Sequence, residues 1–145
     1  MLIRNHAQQS LTIILILVAL LGCNQKTPEL PGTEWDLISL DGNNIIEGTA
    51  ITLNFTDEYL GGEMGCNGYG GSPDGGKYRA TGDGTLTLIL PLAVTVQLCT
   101  EPEGIMEQEA AYIEALRNAT NFRMVDNRLE IGNEEGEIIL IFQAK

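Results

Sequence analysis

The sequence predicts an α+β domain, a mainly antiparallel β-sheet with one packed helix. Three observations predict it. Eight short runs mix apolar, β-branched and aromatic residues at strand length, Gly, Asn and Asp separate them, and one later stretch repeats its apolar residues every three or four positions.

The first apolar run is of another kind. Leu11 to Leu21 holds eleven residues (21 − 11 + 1) behind Arg4 and the free amine. That is the roughly 7 to 15 of a secretory signal and short of the about 20 that span a bilayer. The run closes on Leu20-Leu21-Gly22-Cys23, which resembles the lipobox of bacterial lipoproteins. The resemblance implies a signal peptide over 1–22, cleavage before Cys23, a diacylglycerol thioether on Cys23 and N-acylation, with palmitate-like chains. Each buried CH₂ contributes about 0.8 kcal/mol and one chain is marginal, so two or three chains anchor stably. Asn24 does not look like an Asp-type inner-membrane retention signal. The expected location is therefore the cell envelope, at the outer membrane facing the periplasm where the organism has one.

Cutting there removes His6, the single histidine, and Arg4, so the net charge of −12 becomes −13 (seven basic against twenty acidic residues). Without histidine, Ser-His and Cys-His nucleophile arrangements and histidine-bearing metal sites are excluded. The acidic balance repels phosphate backbones, and Lys77, Arg79, Arg117, Arg123 and Arg128 are scattered, so no nucleic-acid partner is expected.

Residues 23–31, with Pro28 and Pro31 in a polar stretch, read as a tether, and 32–145 as one domain. Strands are expected over Glu34–Leu40, Ala50–Phe55, Tyr59–Met64, Lys77–Ala80, Thr85–Ile89, Phe122–Val125, Arg128–Ile131 and Glu137–Phe142. Asp41-Gly42, Asp74-Gly75-Gly76, Asp83-Gly84, Asp126-Asn127 and Glu135-Gly136 supply residues that tolerate the positive φ of tight turns. The last three strands form the clearest meander. Thr100-Glu101-Pro102-Glu103 has capping-box spacing, predicting a helix from there to about Arg117. Met106, Ala110, Ile113 and Leu116 make its apolar stripe, with Tyr112 as core and Glu107, Gln108 and Glu114 facing water.

Trp35-x-Leu37, Gly65-Cys66-Asn67-x-Tyr69-x-Gly71, Tyr78, Thr95-x-x-x-Cys99 and Met106-Glu107-x-Glu109, with the closing strands, resemble the META domain family (HslJ-like) over Gly32 to Gln143. Gln97 stands where that family usually has Met, and Ser72-Pro73-Asp74-Gly75-Gly76 looks like a small insertion. The resemblance implies a barrel-like antiparallel sheet with a packed helix, often on envelope lipoproteins, without established catalytic activity. It also places Cys66 and Cys99 at corresponding positions of the family pattern.

With Cys23 committed to lipid, Cys66 and Cys99 are read first as a disulfide, as an even pair in an exported domain is. Two buried free thiols, or reactive or metal-binding thiols, are the alternatives. The glycines of Gly65 to Gly71 suit a bend or bulge, with Asn67 bonding the local backbone, better than a phosphate cradle, since no Lys-Ser/Thr ending or helix follows. Asp74-Gly75-Gly76 and Asp83-Gly84 raise calcium, but without a twelve-residue EF-hand pattern they read as hairpin turns. The sequons at Asn54 and Asn118 carry no weight in a bacterial lipoprotein.

The expected function is a non-enzymatic envelope lipoprotein whose domain binds or supports something at the membrane surface, linked to stress tolerance through the family resemblance. No catalytic, cofactor-binding or metal residue is assigned. The expected partners are the membrane, through lipid on Cys23, and an envelope protein or apolar ligand, with the domain itself monomeric. One alternative is a carrier or chaperone for an apolar ligand such as a lipid, and a distant one is a small carboxylate-dependent glycan hydrolase.

Overall fold

The computed structural model describes residues 29–73 and 75–145. The signal peptide, Cys23, most of the tether and Asp74 lie outside the described residues. The elements are β1 (Glu34–Leu40), β2 (Asn43–Asn44), β3 (Thr52–Phe55), β4 (Leu60–Glu63), β5 (Gly68–Gly70), β6 (Lys77–Ala80), β7 (Leu86–Ile89), β8 (Ala93–Val94), α1 (Ile105–Arg117), β9 (Asn121–Val125), β10 (Arg128–Gly132) and β11 (Ile138–Ala144).

Every paired neighbour is antiparallel, and the main sheet runs β8-β5-β4-β3-β1-β11-β10-β9, with β2 also on β1. Strand β1 lies at its centre and shows why the alternation works. Trp35 and Leu37 point inward, but strict alternation would next bury Ser39. A register shift between Leu37 and Ser39 in the pairing with β11 sets Leu40 inward instead, the effect of one extra residue in a bulge.

The expected barrel-like closure is corrected to an open sheet. Strands β8 and β9 are its edges, and β6–β7 forms a separate two-stranded sheet. Single bridges, Tyr59 to Lys77 and Thr85 to Asn121, tie that hairpin to the main sheet. Asp41 and Asp126 take positive φ (48° and 55°), as their turns require.

Strands β2, β5 and β8 were not expected, the first and last because two residues carry no period. Strand β5 lies inside the stretch expected to bend, and two of its three residues are glycine. The neighbouring Gly62 has no room for a side chain, since a Cβ there would collide with the Thr52 carbonyl oxygen. Gly62→Ala is expected to cost about 1 to 3 kcal/mol by overpacking. A guanidinium melt matching wild type would refute this.

The capping-box expectation at Thr100 to Glu103 is also corrected. Helix α1 begins at Ile105, with Gly104 as its N-cap at φ 85° and no side-chain cap. The Ile105 amide bonds back to the Pro102 carbonyl, so the chain makes a turn before the helix starts, and glycine takes the left-handed geometry without a Cβ penalty.

The buried face of α1 is Ile105, Gln108, Glu109, Tyr112, Ala115 and Leu116. It is rotated from the expected stripe: Ala110 is exposed, Met106 and Ile113 are half-buried, and Gln108 is buried rather than facing water. Glu107 and Glu114 are exposed as expected. Between helix and sheet, Tyr112, Leu53, Leu129, Leu140 and Phe142 are fully buried, and Tyr112 meets Tyr69 and Phe142 edge-on at 5.6 and 6.5 Å. Such packing contributes beyond simple area burial.

Candidate functional site: a clamp between helix and sheet edge

Cys66 and Cys99 are disulfide-bonded, with Cα atoms 6.1 Å apart. The bridge joins the turn before β5 to the strap Thr95–Cys99 that follows β8. Asn67 fastens the same junction. Its Oδ1 accepts hydrogen bonds from the Gln97 amide (2.7 Å) and the Thr95 hydroxyl (3.0 Å), while Nδ2 donates to the Gln97 carbonyl (3.1 Å) and to Glu109 Oε2 (2.8 Å). The expectation that Asn67 bonds local backbone is therefore corrected, because these partners lie 28 to 42 residues away. The turn leaves its amide groups without sheet partners, and distant chain supplies them.

Glu109 supplies the most. Its Oε1 accepts the backbone N–H groups of Cys66 (2.7 Å) and Asn67 (2.5 Å), and the residue is only 5% exposed. Gln108 serves a second loop in the same way: Oε1 accepts the Ile46 amide at 2.6 Å and Nε2 donates to Thr49 Oγ1 at 3.0 Å. Buried polar groups require such partners, and here each satisfies the other. The two adjacent N–H groups that a phosphate cradle would aim at a ligand are occupied by the protein's own carboxylate. Sequence reasoning missed Glu109 and Gln108 because it admitted only apolar residues to the stripe. Spacing alone, from Ile105 through Gln108 and Glu109 to Tyr112, contained the signal.

Beneath the clamp, the Tyr69 and Tyr112 hydroxyls lie 2.7 Å apart, and Tyr69 donates to the Thr52 carbonyl at 2.9 Å. Burial pushes both phenols above their ordinary pKa of 10.0, and the nearby Tyr112 raises Tyr69 further. Above about pH 10 the unfolded chain loses these protons first, so the native state binds more protons and stability falls as pH rises. The denaturation midpoint is expected to hold below about pH 9 and drop towards about pH 11, less steeply in Tyr112→Phe. Equal slopes in the two proteins would refute the assignment.

A groove of about 670 Å³ lies elsewhere, at the C-terminal end of α1. Its carboxylates, Asp41, Glu114, Glu134, Glu135 and Glu137, are all exposed. Asp83 works within its turn: Oδ1 accepts the Thr81 hydroxyl and the Thr85 amide, and these bonds hold its carboxyl below the ordinary range. Among the described residues no group of three or more His, Cys, Asp and Glu is arranged to hold a metal ion.

An open antiparallel sheet, a single helix across it and a buried Glu-Asn-disulfide clamp at one edge define an α+β module. The META domain family model matches residues 28–145, and the chain belongs to that family. Two solved structures share the fold. A protein solved by NMR is 21% identical, with TM-score 0.58, over 79% of this chain and 90% of its own. Another NMR structure, of a protein from Burkholderia xenovorans, is 27% identical, with TM-score 0.56, over 80% and 83%. No curated protein matches the chain.

Proposed function

We propose that this protein is a cell-envelope lipoprotein, held at a membrane by lipid on Cys23, whose META domain acts as a non-enzymatic binding or structural module in envelope stress tolerance. The observation that carries the reading is the eleven-residue apolar run ending on Leu20-Leu21-Gly22-Cys23. The Cys66–Cys99 bridge supports it, because structural disulfides persist in the oxidising compartments that such a signal leads to. The use of Glu109 supports the non-enzymatic part, since its oxygens are engaged by backbone and amide donors rather than presented to a cleft.

Intact-mass and N-terminal peptide analysis of the membrane-fraction protein tests the anchor. The expected species begins at Cys23 and carries diacylglycerol and a further acyl chain, and Cys23→Ser leaves the chain unprocessed and unacylated. An unacylated wild-type chain beginning at Met1 or elsewhere would overturn the reading.

A further inference from the structure

We propose that the strap following β8 is a second, shallow membrane contact, in which Val96 and Leu98 enter the interfacial layer of the bilayer that carries the lipid anchor. The proposal rests on the reading of Cys23 as lipid-bearing. Val96 is 96% exposed and Leu98 84%. Among the described residues these are the two most exposed large apolar side chains, and Val94 in β8, just before the strap, is also exposed, so the strap carries the most accessible apolar surface described.

Charge selects the occupant. No residue between Asp83 and Glu101 is charged, in a chain whose net charge is −12. An apolar tip in a stretch without charge of either sign suits hydrocarbon rather than a charged partner. The disulfide and Asn67 hold the strap in place, so its apolar side chains project outward instead of collapsing onto the core. Pairing with a second copy would engage only this short strap, a contact on the order of a few hundred Å² and below what stable dimers bury.

The reach also fits. Along the row Glu34, Asn54, Gly61, Gly70 and Ala93, β8 stands four strand steps from β1, about 19 Å at roughly 4.8 Å each. From Cys23 to the buried Leu30 the chain can extend about 23 Å, so lipid and strap can meet one surface. Penetration is bounded. Among the described residues the Val96 and Leu98 backbone groups have no hydrogen-bond partner, and unpaired peptide groups do not enter the hydrocarbon core. Glu101 and Glu103 set a second limit beside the strap.

The test places the full chain, expressed with its signal and purified from membranes, in phosphatidylcholine vesicles as Leu98→Trp. Trp35 is buried and serves as the internal reference. The expected result is a blue-shifted signal from the introduced indole, quenched by a headgroup-proximal lipid quencher more than by one at the acyl terminus. That indole should also be several-fold less accessible to iodide than free N-acetyltryptophanamide added to the same vesicles. Adding Val96→Asp should restore iodide access while flotation with vesicles persists. Flotation with a fully iodide-accessible indole overturns the contact and leaves the anchor standing. Failure to float removes the anchor, and the contact with it. Shielding that follows protein density rather than lipid quencher indicates paired copies and also overturns the proposal.

Discussion

Glu109→Ala is expected to lower stability by about 3 to 5 kcal/mol, the range for removing one side of a buried, charge-assisted set of hydrogen bonds. The variant leaves the Cys66 and Asn67 amide groups and the Asn67 side-chain amide without the acceptor they share in the native protein. Removing a buried charge returns part of that cost, but the two backbone donors stay orphaned and the Asn67 side-chain amide keeps only its Gln97 acceptor. For a domain of this size the melting temperature should fall by roughly 10 to 20 °C. Glu109→Gln separates shape from charge. It keeps one oxygen for the two backbone groups, yet turns an amide donor towards the Asn67 donor, so an intermediate loss is expected. A double-mutant cycle with Asn67→Ala should be strongly non-additive, because both residues serve one junction. Additive losses, or an Ala variant as stable as wild type, would show that the clamp contributes nothing.

The legibility of the fold divides along the same line. Strands β1 and β6 match the expected bounds, and the ends of the remaining expected strands shift by at most two residues, because alternation and Asp-Gly turns are local signals. Strand β5 was illegible because two glycines carry no side-chain pattern, and its existence depends on the backbone of β4 beside it. The helix start was misplaced because Thr100 and Glu103 have the spacing of a cap, whereas the geometry is set by Gly104 and the turn through Pro102. Cys66 and Cys99 were legible as a pair. Glu109 left only its spacing with Ile105 and Tyr112 as a signal, since a carboxylate on a helix ordinarily faces water, and the tertiary approach of the Cys66 turn is what makes its burial favourable.

Removing the bridge in a Cys66→Ser/Cys99→Ser protein is expected to cost about 3 to 4 kcal/mol, the chain-entropy value for a loop closed over a separation of 33 residues. The distribution of the loss is more informative than its size. The strap's remaining ties are the Asn67 bonds to Thr95 and Gln97, the bonds between the Gly68 backbone and Thr95, and the short pairing of β8 on β5. Hydrogen exchange in the double-Ser protein should therefore rise first at Gln97 and its neighbours. The Cys66 and Asn67 amides should stay protected as long as Glu109 holds them, and those of β1 and β11 should follow global stability. In the Glu109→Ala protein the order reverses: the turn should open while the bridge still holds Cys99 to it. If exchange rises equally across the sheet in both proteins, turn, strap and helix unfold as one unit. If it rises locally, the edge has two separable fastenings, one covalent and one electrostatic. The projection of Val96 and Leu98 would then depend on the covalent one, so the same double-Ser substitution in the vesicle-bound chain should loosen the membrane contact without releasing the anchor.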